Sequence, residues 1–151
     1  MADKNIPEEA KLEPGLTVPP ASIQLEQEKY ANFNVGPMSN HILSNIPYAK
    51  AFRMASLIDY APGKIVSQTF VQHAGVSLTL FAFSAGEGLA PHQASCDALV
   101  CAIEGSAEIT IDGNVSVISQ GESIVMPAGH PHGIKTKENF KMFLIQIFPE
   151  G

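Results

Sequence analysis

An all-β domain is the fold class this sequence predicts, and three observations predict it. Short runs rich in β-branched and aromatic residues recur between turn signals from residue 64 to the C-terminal end. Asp112-Gly113 lies between AEITI and NVSVI, the strongest local hairpin signal in the chain. No stretch carries a convincing helical stripe.

Taken in order, residues 1–20 are rich in Pro, Glu and Lys and poor in large apolar groups, which predicts a mobile arm. Residues 21–33 (ASIQLEQEKYANF) fit neither helical nor alternating periodicity, so a short helix and an added strand both stay open. Gly36-Pro37 and Ile46-Pro47 are turn signals, and the compact domain is expected to begin by Phe52. The expected division is therefore an irregular arm over 1–51, partly mobile or packed on the barrel, and a β-barrel over 52–151.

Strands are predicted over 64–71, 76–84, 98–103, 107–111, 115–118, 123–126, 133–136 and 140–148. Between the second and third, Gly86, Gly88 and Pro91 read as a loop that delivers the chain to a strand entrance at His92. The run ALVCAI has no polar alternation and reads as a strand buried on both faces or a barrel stave. With so many hairpins, a closed barrel or double-sheet jelly roll competes with an open sandwich.

Composition narrows the partners. A chain of 151 residues, 45% hydrophobic, is the size of one domain with a real core. A formal charge of -6, with nine Lys and Arg spread thinly, leaves no basic stripe for nucleic acid. No apolar run approaches the roughly 20 residues that span a bilayer, and the N-terminal residues lack the apolar core of a secretory signal, so no membrane partner and a cytoplasmic location are expected. Cys96 and Cys101 do not make a disulfide framework and are expected to be free thiols.

Residues 121–132 run Gly, five residues, Pro, one residue, Gly, two residues, His. This resembles the second motif of the cupin family, G(X)5PXG(X)2H(X)3N, with Thr136 in place of the final Asn. Residues 86–105 resemble the first motif, G(X)5HXH(X)3,4E(X)6G, at Gly86, His92 and Gly105, but Ala94 and Ala98 stand where a His and the Glu belong. The resemblance covers residues 52–148 and implies a cupin-type double-stranded β-helix, a jelly-roll barrel.

The family's metal site joins three His and one Glu, a set suited to Zn, Mn, Fe, Ni or Cu. Position by position, the resemblance carries over only His92 and His132. A divalent transition metal would need further help, and Cys96, Asp97 and His130 are the candidates; the competing readings are that Asp97 caps a turn, Cys96 is a small buried hydrophobe and His130 is a solvated loop residue. His73 is expected at the opposite end of the barrel from His92, and His41 has no positional argument.

Phe81, Phe83, Leu99, Cys101, Ile109, Ile111, Met126, Met142, Leu144 and Gln146 offer mainly apolar lining. Phe81, Phe83, Met126, Met142 and Gln146 form the expected ligand pocket. Gln146, a polar residue within FKMFLIQIF, must reach solvent or a partner. Two function classes follow: a barrel that binds a small organic ligand, with or without metal, or a metal-dependent dioxygenase or isomerase of the small cupin type. Small cupins are often dimers, so a homodimer is also implied, with residues 22–33 available to pair with a sheet edge.

Overall fold

The computed structural model describes residues 41–150. The expectations placed on residues 1–40, including strand pairing by 22–33, lie outside the described residues. Among the described residues, nine strands follow a short 3-10 turn at Met54–Leu57: β1 (Ile65–Gln72), β2 (Val76–Phe83), β3 (Gly88–His92), β4 (Asp97–Glu104), β5 (Ser106–Ile111), β6 (Asn114–Ser119), β7 (Ser123–Met126), β8 (His132–Lys135) and β9 (Phe140–Ile147). They form two antiparallel sheets, β1-β2-β9-β4-β7 and β3-β8-β5-β6, packed face to face as a jelly-roll barrel. No helix among the described residues is long and apolar enough to cross a membrane.

The β5–β6 hairpin forms where Asp112-Gly113 predicts it, with both residues at positive φ (51° and 80°), as a two-residue turn matched to strand twist requires. β3 departs from the sequence reading. GLAPH is a strand rather than a loop, and His92 ends it instead of opening the next one. Pro91 is tolerated because β3 is an edge strand whose pairing with β8 shifts register between Leu89 and His92, so the missing N–H interrupts no inner ladder.

Alternation sorts the side chains of β2, β4 and β9 into two layers. Phe81, Phe83, Ala98, Val100, Ala102, Phe140, Met142 and Leu144 point between the sheets and join Ile109, Ile118, Met126 and Ile134 in one core. Leu99 and Cys101, expected to line the interior, take the opposite face of β4 and are only half-buried. A run without polar alternation says that a strand is buried but not which residues face in, and here the even-numbered ones do.

The outer face of the larger sheet is covered beside β1 and β2 by residues 43–61. Leu57 and Ile58 pack there against Val66, Phe70, Leu80 and Ala82. The segment is also pinned at the β1 edge, where Ser44 N donates to Phe70 O at 2.7 Å and Asn45 Nδ2 to Thr69 O at 3.2 Å.

A polar cluster fixes the far end of this segment. Lys141, almost buried, donates to Ala55 O at 2.7 Å, approaches Glu104 Oε2 at 3.4 Å and stands 4.8 Å from the centre of the Tyr60 ring, whose hydroxyl donates to Glu104. Burial first, and then the hydrogen bond to Glu104 with the negative charges of Glu104 and Glu138, push the Tyr60 hydroxyl well above the ordinary tyrosine pKa. A raised pKa in the folded state means that this contribution is complete below about pH 10 and is lost as pH rises further. Tyr60→Phe is therefore expected to cost about 1 kcal/mol at neutral pH and to lose less stability than the wild type between about pH 9 and pH 11. Chemical denaturation across that range checks it, and parallel pH profiles would refute it.

Candidate functional site

One end of the barrel gathers the polar side chains that the core leaves over. β3 ends there at His92, a short loop turns into β4 at Asp97, and β7 ends at Met126 before the loop that opens β8 at His132. Gly129 N donates to Ala94 O at 2.8 Å, tying the two loops together. On the larger sheet the register places Gln146 beside both Ser77 and Ala98, and Ala98 beside Met126, so these four form one inward row at the same end.

His92 and His132 are direct cross-strand partners, their rings meeting edge to face with centroids 4.9 Å apart. His132 is fully buried and His92 half-buried. His92 Nδ1 lies 2.9 Å from Ala90 O, and His132 Nδ1 lies 3.1 Å from His130 O. A carbonyl only accepts, so each Nδ1 carries a proton, which leaves Nε2 as the acceptor nitrogen whenever the ring is neutral. The motif spacing thus carries both imidazoles to one point, in one tautomer.

The other candidates do not complete a metal shell with them. Asp97 is exposed, and its Oδ1 accepts from Ala128 N at 2.8 Å, a cap on the β7–β8 loop. His130 is half-exposed, with Nδ1 2.6 Å from Asp112 Oδ2, so it joins that loop to the β5–β6 hairpin. Cys96 is fully buried in the apolar core with Ala94 and Ala98. Among the described residues, no three His, Cys, Asp or Glu side chains come together as a metal-holding group. The donors present do not fit the four-ligand set that the resemblance implies, because its second His and its Glu are methyl groups here.

Thr136, where the second motif has Asn, is also buried and structural in its contacts. Its hydroxyl donates to Glu87 O at 2.6 Å and its N–H to the same oxygen at 3.2 Å, bracketing the Gly86 loop to the end of β8. A hydroxyl serves that role as an amide would.

The expected pocket residues all face inward but occupy different depths. Phe83 pairs with Phe140, six residues along β9 from Gln146 and so roughly 20 Å away. At that far end Phe81, Phe83 and Phe140 form a chain of tilted rings 6.1 and 5.9 Å apart. Phe81 and Met142 pair midway, and Met126 and Gln146 stand at the histidine end. Gln146 is fully buried, and neither its amide oxygen nor its amide nitrogen has a hydrogen-bond partner. Each buried polar atom left in that state costs about 1–3 kcal/mol.

Sequence reasoning missed Ser77, a buried residue beside Gln146, and misplaced His73. In VSLTLFAF, Ser77 and Thr79 share the parity of Phe81 and Phe83, and that parity was the available signal for an inward polar pair. His73 was expected at the end away from His92. The register sets Val76 opposite Ile147 and Ile147 opposite Asp97, which puts the exposed β1–β2 turn at the histidine end. The error follows from β3, which recrosses the barrel between Gly88 and His92. His41 stacks on Tyr48, with ring centroids 4.1 Å apart, outside the barrel.

The Cupin domain family matches residues 79–148. A conserved protein of unknown function from Streptococcus pyogenes is 34% identical, with a TM-score of 0.70 over 72% of this chain and 96% of that one. A cupin superfamily protein from Desulfitobacterium hafniense is 29% identical, with a TM-score of 0.68 over 71% of this chain and 98% of that one. A cupin 2 conserved barrel domain protein from Leptotrichia buccalis is 40% identical, with a TM-score of 0.62 over 64% of this chain and 47% of that one. Among functionally curated proteins, none matches. The two glycine- and histidine-spaced motifs, the two-sheet barrel that brings their histidines into contact, and these similarities agree: the chain belongs to the cupin family.

Proposed function

We propose that this barrel binds a small organic molecule at its histidine end without a resident metal. The observation that carries the reading is the Gln146 amide, buried with both polar atoms unpartnered at the end where His92 and His132 meet. A buried amide in that state is stabilised by whatever small molecule satisfies it, so it marks a place for a ligand group. Leu144, Met142 and Phe81 continue from Gln146 along the barrel as an apolar core, so the polar contacts to a ligand come from the amide, with the two imidazoles beside it at the same end.

The alternative, a metal-dependent dioxygenase or isomerase, draws on the same two histidines but lacks donors. Two imidazoles hold a labile divalent ion weakly against water, and neither Asp97 nor His130 points to them. Protein equilibrated in turn with Zn, Mn, Fe, Ni and Cu and then desalted is expected to retain well under one ion per chain by elemental analysis. Stoichiometric metal in the wild type that disappears in His92→Ala/His132→Ala would overturn the metal-free reading.

The proposal extends to a homodimer. Val125, Leu99 and Ile145 are in register on the outer face of the larger sheet, beyond the cover of residues 43–61, and Val125 and Ile147 are each more than half exposed. A second copy burying this strip explains its composition. Light scattering is expected to give a dimer mass for the wild type and a monomer for Val125→Glu; a monomeric wild type refutes it.

A further inference from the structure

Building on the ligand-binding reading above, we infer that the site selects an uncharged ligand with an N–H donor adjacent to a carbonyl acceptor, the edge of a lactam or a cis amide. A primary amide offers one acceptor and two donors on a flat group, and only another donor–acceptor edge satisfies both of its faces at once with two parallel hydrogen bonds. The Gln146 Oε1 and Nε2 atoms are both buried and both unpartnered, so the demand is for the pair and not for a single bond.

The surroundings argue for neutrality. His92, His132, Ser77, Cys96, Ala98 and Met126 face inward at this end, and the nearby carboxylates are engaged outside, Asp97 with Ala128 N and Asp112 with His130. None of these inward residues is a Lys, an Arg or a carboxylate, so an ionised ligand would leave water without a permanent charge opposite it, a cost that an uncharged ligand avoids. Ala98 puts a methyl group directly beside Gln146, so the polar group at this point of the barrel is the Gln146 amide and not a carboxylate.

The test uses the full chain, 15N-labelled, titrated by NMR with three probes: 2-pyridone, which has the edge; N-methyl-2-pyridone, which lacks the donor; and benzoate, which is charged and lacks the donor. The expected result is that 2-pyridone shifts the Gln146 side-chain amide resonances and binds at least about tenfold more tightly than either other probe, each unmade buried hydrogen bond being worth about that factor. In Gln146→Leu the preference for 2-pyridone over its N-methyl analogue disappears, while the melting temperature stays level or rises because no buried amide is left unpaired. Equal binding of 2-pyridone and its N-methyl analogue, or unchanged 2-pyridone binding in Gln146→Leu, overturns the lactam inference and leaves ligand binding in the barrel intact. Tighter binding of benzoate also overturns it. If none of the three shifts any interior resonance at saturating concentration, the ligand-binding reading itself fails and the inference falls with it.

Discussion

Gly105→Ala is expected to destabilise the barrel by more than about 3 kcal/mol, lowering the melting temperature by roughly 15 °C or more. Gly105 closes the turn between β4 and β5 at φ 75°, and a Cβ there would stand 2.1 Å from Asn139 O. The left-handed conformation alone costs a residue with a side chain about 1–2 kcal/mol. The contact is worse, since the obstacle is a backbone carbonyl beside the start of β9 and cannot swing away as a side-chain tip would. Gly105 O also accepts from Gln120 N at 3.0 Å, so moving the turn disturbs the β6–β7 connection as well. Gly121 is the control. It has φ 90° with nothing within 4 Å of a new Cβ, so Gly121→Ala should show only the conformational cost. Thermal and urea unfolding of the two variants measure the difference, and equal losses would show that the close approach at Gly105 relaxes.

The second large effect is a gain. Ala94→His combined with Ala98→Glu is expected to give a chain that binds about one divalent transition ion, with affinity raised at least about a thousandfold over the wild type. Ala98 faces inward between Met126 and Gln146, and Ala94 lies two residues after His92 with its carbonyl held by Gly129 N, three residues before His132. The new side chains would therefore start from positions the barrel holds still. Gln146, next to residue 98, could then donate its amide N–H to the added carboxylate, and such outer contacts strengthen a ligand set. Isothermal titration with Zn and elemental analysis read the outcome. A folded double variant that binds no more metal than the wild type would show that residues 94 and 98 do not aim at the histidine pair, and would count against using the motif to place them.

Much of the fold was legible because β-structure writes itself locally. Short β-branched and apolar runs between turn signals, with the Asp112-Gly113 turn, mark every described strand except β3, and β3 was hidden because Pro91 and two glycines say loop while its edge position makes them harmless. His92 and His132 were legible as a pair because the glycine spacing of two motifs fixes where each strand ends. Gln146 was legible as a question, a polar residue in an apolar strand.

What the residues alone determined is the class of the fold, the strand content, the meeting of two histidines and the absence of two ligands, all of which depend on local propensity or on spacing along the chain. What only the tertiary structure decided is which way side chains face and which ends coincide. It set Ala98 inside and Leu99 outside, turned Asp97 onto the Ala128 amide and His130 onto Asp112, brought the β1–β2 turn to the histidine end, and left the Gln146 amide buried beside Ala98. Those outcomes hang on register between strands distant in sequence, where a shift of one residue reverses every face, and no local pattern encodes that choice.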